Sequence, residues 1–558
     1  MNDKNSRLIT FIVLSAIILF GYNMLFMPKP TAAPQQTAET AAVSPATQAS
    51  QNARAVQPGV SGNEKTAAVK TNTASVIKPF EEKKYVIENT LARVSFSDRG
   101  AVAIGYELKK FTAGKENDEV LELIPNKASY SYLALNQAAG QDLTAIRWKY
   151  DGSLLGDNGS IITFSTPLSD GVTAVKKFIL DADTYALTTE IIFKNSTSSP
   201  KSVKDMQLMW GPNIHLLPSE FQKNKDGMYA FNRVHYPQGR ELKKVEIKAN
   251  IKEDKITNIG VPDYIVLKDL YFMSSFKPAE KTTYKSALIK EYKGGFGFIA
   301  VNLNDALIEP RSEVTSSFIS YIGPQEYKRL KEFGMDRVVD LGWPRFLGLW
   351  MFYAMDFFHK LTKNYGIAIL LLTLLVRLLL WVPSQHSFKQ MKDTQKKMTI
   401  IKPRIETLKK VYKNDSQKLN EETMKLYQEY KINPLGGCLP MLIQMPIFIA
   451  LYQMLINMVE LKGAYFALWL KDLSKPDPFF VLPLFMGVSM FFQQKMTSSA
   501  TPVTDESAAM QQKIMLWGMP IFLTFLSFSW PSGLLLYWSM SNILGIAQQL
   551  MVNNSKKA

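Results

Sequence analysis

Apolar runs long enough to cross a bilayer constrain this chain more than any other feature. Leu8 to Phe26 is 19 residues without a charge, preceded by Lys4 and Arg7. Five further runs come late in the chain, at about 365–382, 435–459, 479–494, 514–530 and 533–551, the last two separated only by Pro531 and Ser532. A helix rises 1.5 Å per residue, so a hydrocarbon core of ~30 Å takes about 20 residues. Lipid offers no partner for backbone N–H and C=O groups, so such runs cross as helices. Six transmembrane helices are therefore expected. For the first run a cleaved signal peptide is the competing reading. Signal h-regions are shorter, and MPKPTAAP is a poor cleavage site, so an uncleaved anchor over 1–26 is expected.

Arg377 interrupts the second run. It sits among Leu374, Leu375, Val376, Leu378, Leu379 and Leu380 with no acid close by. On insertion scales an arginine at the middle of a spanning helix costs about 2.5–3.5 kcal/mol. Either it snorkels to the cytoplasmic head groups, about 9 Å away along a helix that continues to Pro383, or it faces a water-filled recess among the helices. Thr373, four residues earlier, shares its face. Gln444, Gln493, Ser541, Asn542 and Gln548 lie in the other late runs; each alone is ordinary interhelical glue, and together with Arg377 they suggest a hydrated recess. No Asp or Glu lies within the five late runs, and neither half repeats the other. Proton-coupled carriers need intramembrane titratable groups and many transporters carry repeats, so a small-solute transporter or channel is disfavoured. The counter-charge for Arg377 is then a transient one, an acidic segment passing through. Methionines such as Met441, Met445, Met486, Met490 and Met519 either fill gaps or form an adaptable apolar surface.

The connectors set orientation. Residues 383–432 hold 12 Lys and Arg against 6 Asp and Glu, which places this loop in the cytoplasm. Both termini then lie on the cytoplasmic side and the region before 335 lies outside. Within the loop, Met391, Met398, Ile401, Ile405, Leu408 and Tyr412 form one helical stripe, and Leu419, Thr423, Leu426 and Tyr430 a second. Asn414, Asp415 and Ser416 separate them, so a helical hairpin is expected, with Pro403 kinking or breaking its first helix. Its basic outer face suits anionic lipid head groups, ribosomal RNA or solvent alone. The net charge of +16 accords with anionic lipid and positive-inside bias, and DNA is not an expected partner.

Residues 27–78 are rich in Ala, Thr, Gln, Ser and Pro and read as a flexible tether. Over 79–335, short alternating or β-branched runs such as LARVSFSD, SIITFS and YALTTEIIFKN between DRG, DGS and DNGS turns predict a large antiparallel β-sandwich. It reads as a scaffold or as a sugar-binding domain, and no recognisable constellation favours the latter. Residues 341–361 are dense in aromatics with interspersed charge, which predicts an amphipathic helix in the membrane interface, or a lead-in to the next span. Cys438, the one cysteine, excludes an internal disulfide, four scattered histidines give no metal spacing, and no GxxxxGK[ST] motif is present. No cofactor, metal or catalytic residue is expected. An anchored mutarotase-like enzyme would leave five apolar runs unexplained.

NPLGGCLPMLIQMPIFIALYQML (433–455), FALWLKDLSKPDPFFVLPLFMGVSMFFQQKM (466–496), TDESAAMQQKIM (504–515) and WPSGLLLYWSMSNILGIAQQ (530–549) resemble, in order, the core of the YidC/Oxa/Alb family of membrane protein insertases. LLTLLVRLLLWVPSQHSFKQM is similar to the family's second span, with Arg377 and Thr373 at matching positions. Anchor, tether and outer β domain resemble the family's Gram-negative bacterial form. The resemblance implies a five-helix insertase core over 365–552 and a periplasmic β-supersandwich. It implies a hydrophilic groove open to the cytoplasm and to lipid, lined by Arg377, Thr373 and Gln444. Cys438, Met445 and Pro446 match the substrate path on the third span. Tyr537 and Trp538 match an aromatic pair of the groove, with Trp at the second position. The implied activity is insertion and folding of nascent membrane proteins in the inner membrane, alone or with Sec translocon components, with the ribosome and anionic lipids as further partners.

Overall fold

The computed structural model describes residues 81–554 except 113–119, 125–131, 139–140, 158, 169–170, 212–232, 248–250, 252, 281–282, 293–295, 414, 433–438, 499–509 and 511–512. The expected anchor and tether lie outside the described residues.

Antiparallel sheets occupy the chain from Lys84 to Pro324. Nine strands form the largest, in the order Glu241–Glu246, Arg233–Gln238, Ile265–Lys268, Phe272–Pro278, Glu313–Pro324, Ala186–Asn195, Val172–Asp181, Gly159–Pro167 and Lys149–Gly156. A four-stranded sheet runs from Lys84–Glu88 to Val120–Ile124, and a six-stranded sheet is built around Tyr284–Tyr292 and Phe296–Leu303. Burial alternates strictly along Val172–Asp181, the period-2 signature of a strand with one face inward. Both smaller sheets pack on the largest through aromatic rings: Phe96 meets Phe178 at 4.6 Å, and Tyr284 meets Phe276 at 6.5 Å.

The in-facing alternation also buries Lys176 completely. Its Nζ donates to the carbonyls of Gly100, Ala101 and Leu133 at 2.8, 3.1 and 3.0 Å and stands 5.0 Å from the Trp148 ring centre. Burial pushes its pKa down to about 7. Three carbonyls match the three N–H donors of an ammonium, and this geometry opposes loss of the proton.

From residue 327 the described elements are helices. Helices α1 (Tyr327–Glu332) and α2 (Arg345–Thr362) couple the sheets to the rest: Tyr327 packs edge-on against Phe352, and Lys328 pairs with Asp356 at 2.5 Å. Helix α2 covers most of the 341–361 span read as interfacial. Met351, Phe352 and Met355 are buried on one face, while Phe346, Trp350, Tyr353, Phe357 and Leu361 stand exposed at spacings of four, three, four and four. Helices α3 (Tyr365–Leu379) and α4 (Trp381–Val411) follow, then α5 (Ser416–Glu429), α6 (Leu439–Asn457), α7 (Val481–Ser498), a π turn (Ile514–Gly518) leading into α8 (Met519–Ser527), and α9 (Ser532–Asn554).

A helix is thus present in each of the five late apolar runs. No single described helix is long and apolar enough to cross a membrane; the bent pair Tyr365–Leu379 and Trp381–Ser387, at 55°, passes together. The sequence reading runs the second span straight to residue 382, whereas the structure breaks it at Leu380. Pro383 has no N–H for the Leu379 carbonyl, and its ring would collide with that carbonyl in a continuous helix.

Residues 393–434 belong to a separate unit. Ile401 and Ile405 of α4 pack with Leu426 of α5 and Ile432, flanked by Met398, Leu408 and Tyr430, which is the expected hairpin seam. Asp415 caps α5, its carboxylate accepting from the Lys418 N–H at 3.0 Å. Helix α4 continues through Pro403 without a break.

Candidate functional site

The bend at Leu380 places Arg377 in the last turn of α3. Unpaired carbonyls there carry partial negative charge, worth about 0.3–1 kcal/mol to a cation. The side chain does not stretch outward. It is 8% exposed and crosses to α9. Its Nε donates to Ser541 Oγ at 3.1 Å, and Nη2 donates to the same oxygen at 2.7 Å and to the Ser541 carbonyl at 2.6 Å. Among the described residues no carboxylate pairs with it. The cost of the buried charge is therefore met by a helix end and one serine.

That serine belongs to a stripe. Tyr537, Ser541, Gly545 and Gln548 follow one another on α9 at spacings of four, four and three, which puts them on one face. Tyr537 is buried one turn before Ser541. Gly545 lies one turn after it: a Cβ there would stand 2.9 Å from Gln493 Nε2 and touch Arg377 Nη2 at 3.4 Å, so a side chain at 545 would press first on the Gln493 amide. Gln548 Nε2 donates to the Trp381 carbonyl at 3.1 Å, tying α9 to the bend that positions Arg377. From α6, Gln444 Nε2 points at Ser541 Oγ across 3.4 Å.

On a neighbouring face Asn542 Nδ2 donates to Ser489 Oγ of α7 at 3.0 Å. Trp538 packs against Phe448 of α6 at 4.6 Å and stacks on Trp530 at 5.5 Å, and Tyr452 approaches Trp530 at 6.5 Å. This ring cluster joins α6 to the hairpin of α8 and α9.

The structure therefore brings Arg377, Gln444 and Tyr537 together around Ser541. Thr373 is not part of that set: it is fully buried and its hydroxyl donates to the Ile369 carbonyl at 2.7 Å, one turn back in its own helix. Met445 and Pro446 are half-buried in α6. Cys438 lies outside the described residues. The sequence reading takes Ser541 as one polar group among several and passes over Gly545; the spacing of the α9 stripe is the signal that singles them out. Among the described residues no cluster of three His, Cys, Asp or Glu side chains could hold a metal.

The model for the YidC periplasmic domain matches residues 84–354, and that for the 60Kd inner membrane protein matches residues 357–558. A membrane protein insertase YidC from Citrifermentans bemidjiense is 32% identical over 574 residues, spanning 98% of this chain and 99% of that one. Another from Syntrophus aciditrophicus is 29% identical across 99% of each chain. A crystal structure of an active YidC insertase, with its first transmembrane domain resolved, is 20% identical over 84% of this chain and 92% of that chain, at a TM-score of 0.33. Two adjoining family matches and full-length identity above 30% lead to one assignment: the chain belongs to the YidC family of membrane protein insertases.

Proposed function

We propose that this chain inserts newly made proteins into the inner membrane by lowering the cost of passing a short polar tail, with Arg377 as the receiving charge. One observation carries the reading: a guanidinium buried among apolar helices and bound to a serine, with no acid beside it among the described residues. A buried charge without a resident counter-ion suits a visiting one.

In this reading the late helices and the first apolar run make six spans. Both termini and the basic hairpin face the cytoplasm, the β domain faces the periplasm, and α2 lies with its exposed aromatics in the outer interface. The hairpin meets the ribosome, the nascent chain or anionic lipid. The tail enters beside Arg377 and Gln444, in a recess that Thr373, Tyr537 and Trp538 help to wall. The potential, negative inside, favours outward movement of an acidic group by about 2.3 kcal/mol per charge per 100 mV. The cargo helix then leaves along Cys438, Met445 and Pro446 into lipid, and burial of its apolar surface supplies the main driving force. No covalent chemistry is required. Sec translocon components act beside the chain for larger cargo, and the β domain serves as a scaffold.

The test is insertion of a small membrane protein by the full chain reconstituted in vesicles, with an Asp or an Asn in the cargo tail. Arg377→Ala is expected to impair the Asp tail more than the Asn tail, and Arg377→Lys to keep most activity. Equal loss for both tails with Arg377→Ala contradicts the electrostatic role.

A further inference from the structure

A guanidinium offers two edges on which a carboxylate or phosphate can dock through paired N–H groups: the Nε/Nη2 side and the Nη1/Nη2 end. In this protein Ser541 occupies both in part. Its hydroxyl accepts from Nε and Nη2, which fills the side edge, and its carbonyl accepts from Nη2 as well, which takes half of the end edge. Both Nη2 hydrogens are thereby engaged. Nη1, with two N–H groups, has no acceptor within hydrogen-bond distance among the described residues. Gly545 leaves room beside this arrangement: a Cβ there would stand 2.9 Å from Gln493 Nε2 and at contact distance, 3.4 Å, from Nη2.

We infer that Ser541 is a positioning residue that caps the paired edges of Arg377, so that an acidic group is received by Nη1 alone and let go again. The inference rests on the proposed role of Arg377 as the receiving charge. A paired contact in a site this buried holds a carboxylate well, and a site that must pass its cargo on loses by holding it. The serine converts the strongest anion-binding side chain into one with a single open end. A lysine ammonium has no fork, and the same logic makes it an adequate substitute at 377.

The experiment uses the full chain in vesicles and the paired Asp-tail and Asn-tail cargoes. Ser541→Ala opens the side edge. Insertion of the Asp-tail cargo is expected to slow roughly tenfold, the equivalent of one added charge-assisted hydrogen bond holding the tail, about 1.4 kcal/mol, while the Asn-tail rate is unchanged. Ser541→Thr keeps the hydroxyl and is expected to behave as the parent. In an Arg377→Lys background, which lacks the fork, Ser541→Ala is expected to change neither rate. Slowing of both cargoes alike, slowing that persists with Lys at 377, or no slowing of the Asp tail overturns the capping role. If Arg377→Ala shows its tail-dependent loss while Ser541→Ala does not, this inference alone fails. If Arg377→Ala shows no tail dependence, the reading beneath it fails too.

Discussion

Replacing Arg377 with Met tests whether the arginine serves the fold or the cargo. Its insertion cost is about 2.5–3.5 kcal/mol. Against that stand two acceptors on Ser541, its hydroxyl and its carbonyl, each worth about 1.5 kcal/mol net to a charged donor, and the helix-end term of about 0.3–1 kcal/mol. The two sides cancel to within about 1 kcal/mol. Methionine fills a similar volume with no charge to desolvate, and apolar replacement of a buried ionic group is often neutral or stabilising. Ser541 remains able to turn its hydroxyl to another acceptor. With about 2–4 °C per kcal/mol for a domain of this size, the melting temperature of Arg377→Met is expected within about 4 °C of the parent. The assay is thermal unfolding of the full chain in detergent followed by tryptophan fluorescence, run beside Asp-tail insertion, which is expected to fall. A drop of more than about 10 °C refutes the reasoning, because it makes Arg377 a structural residue whose loss disables the bundle.

Lys176→Met is expected to have the opposite character. It strips three buried carbonyls of their donor, an effect of about 3–5 kcal/mol that appears as a lower unfolding temperature of the β domain by near-UV circular dichroism, with insertion at low temperature retained. Glu460, in the turn after α6, has its carboxyl pushed up to about 7, chiefly by burial, with Glu326 and Asp356 adding like charge. An acid raised in the folded state stabilises fully below the unfolded value near 4.5 and loses that contribution as pH rises through about 7. Glu460→Gln is therefore expected to flatten the decline in melting temperature between pH 4.5 and about 7, the window set by those values, and an unchanged slope counts against it. Gly487 of α7 sits where a Cβ would lie 2.0 Å from Thr524 Oγ1 of α8, so Gly487→Val is expected to cost about 1–3 kcal/mol in thermal stability, with part recovered by Thr524→Ala.

The features legible in the sequence are those with local causes. Asp415 caps α5 where the two apolar stripes part, and Ile401, Ile405 and Leu426 meet as their spacing requires. Strands fall where alternating runs stood between turn residues, as at Gly159–Pro167 and Ala186–Asn195. Two further features have local signals. Pro383 marks the break at Leu380, and the alternation of VTAVKKFILD turns Lys176 inward with Val172, Ala174 and Phe178. What was not legible depends on distant pairing. Arg377 finds its acceptor 164 residues away on α9, and the position of Gly545 matters only because Gln493 and Arg377 converge on it. Thr373 shares a helix face with Arg377, yet its hydroxyl turns back on its own helix, since a buried threonine can satisfy its donor on the carbonyl one turn back.

The central claim is that cargo passes the space between Arg377 and α6. Photo-crosslinking during synthesis of a small membrane protein tests it most directly, with the probe at Gln444, whose amide faces Ser541, at Met445, or at the exposed Val488 of α7 as a control. The account predicts adducts of the cargo tail at 444 and of its apolar segment at 445, each stronger than at 488. Adducts at 488 equal to or stronger than those at 444 and 445 would contradict it.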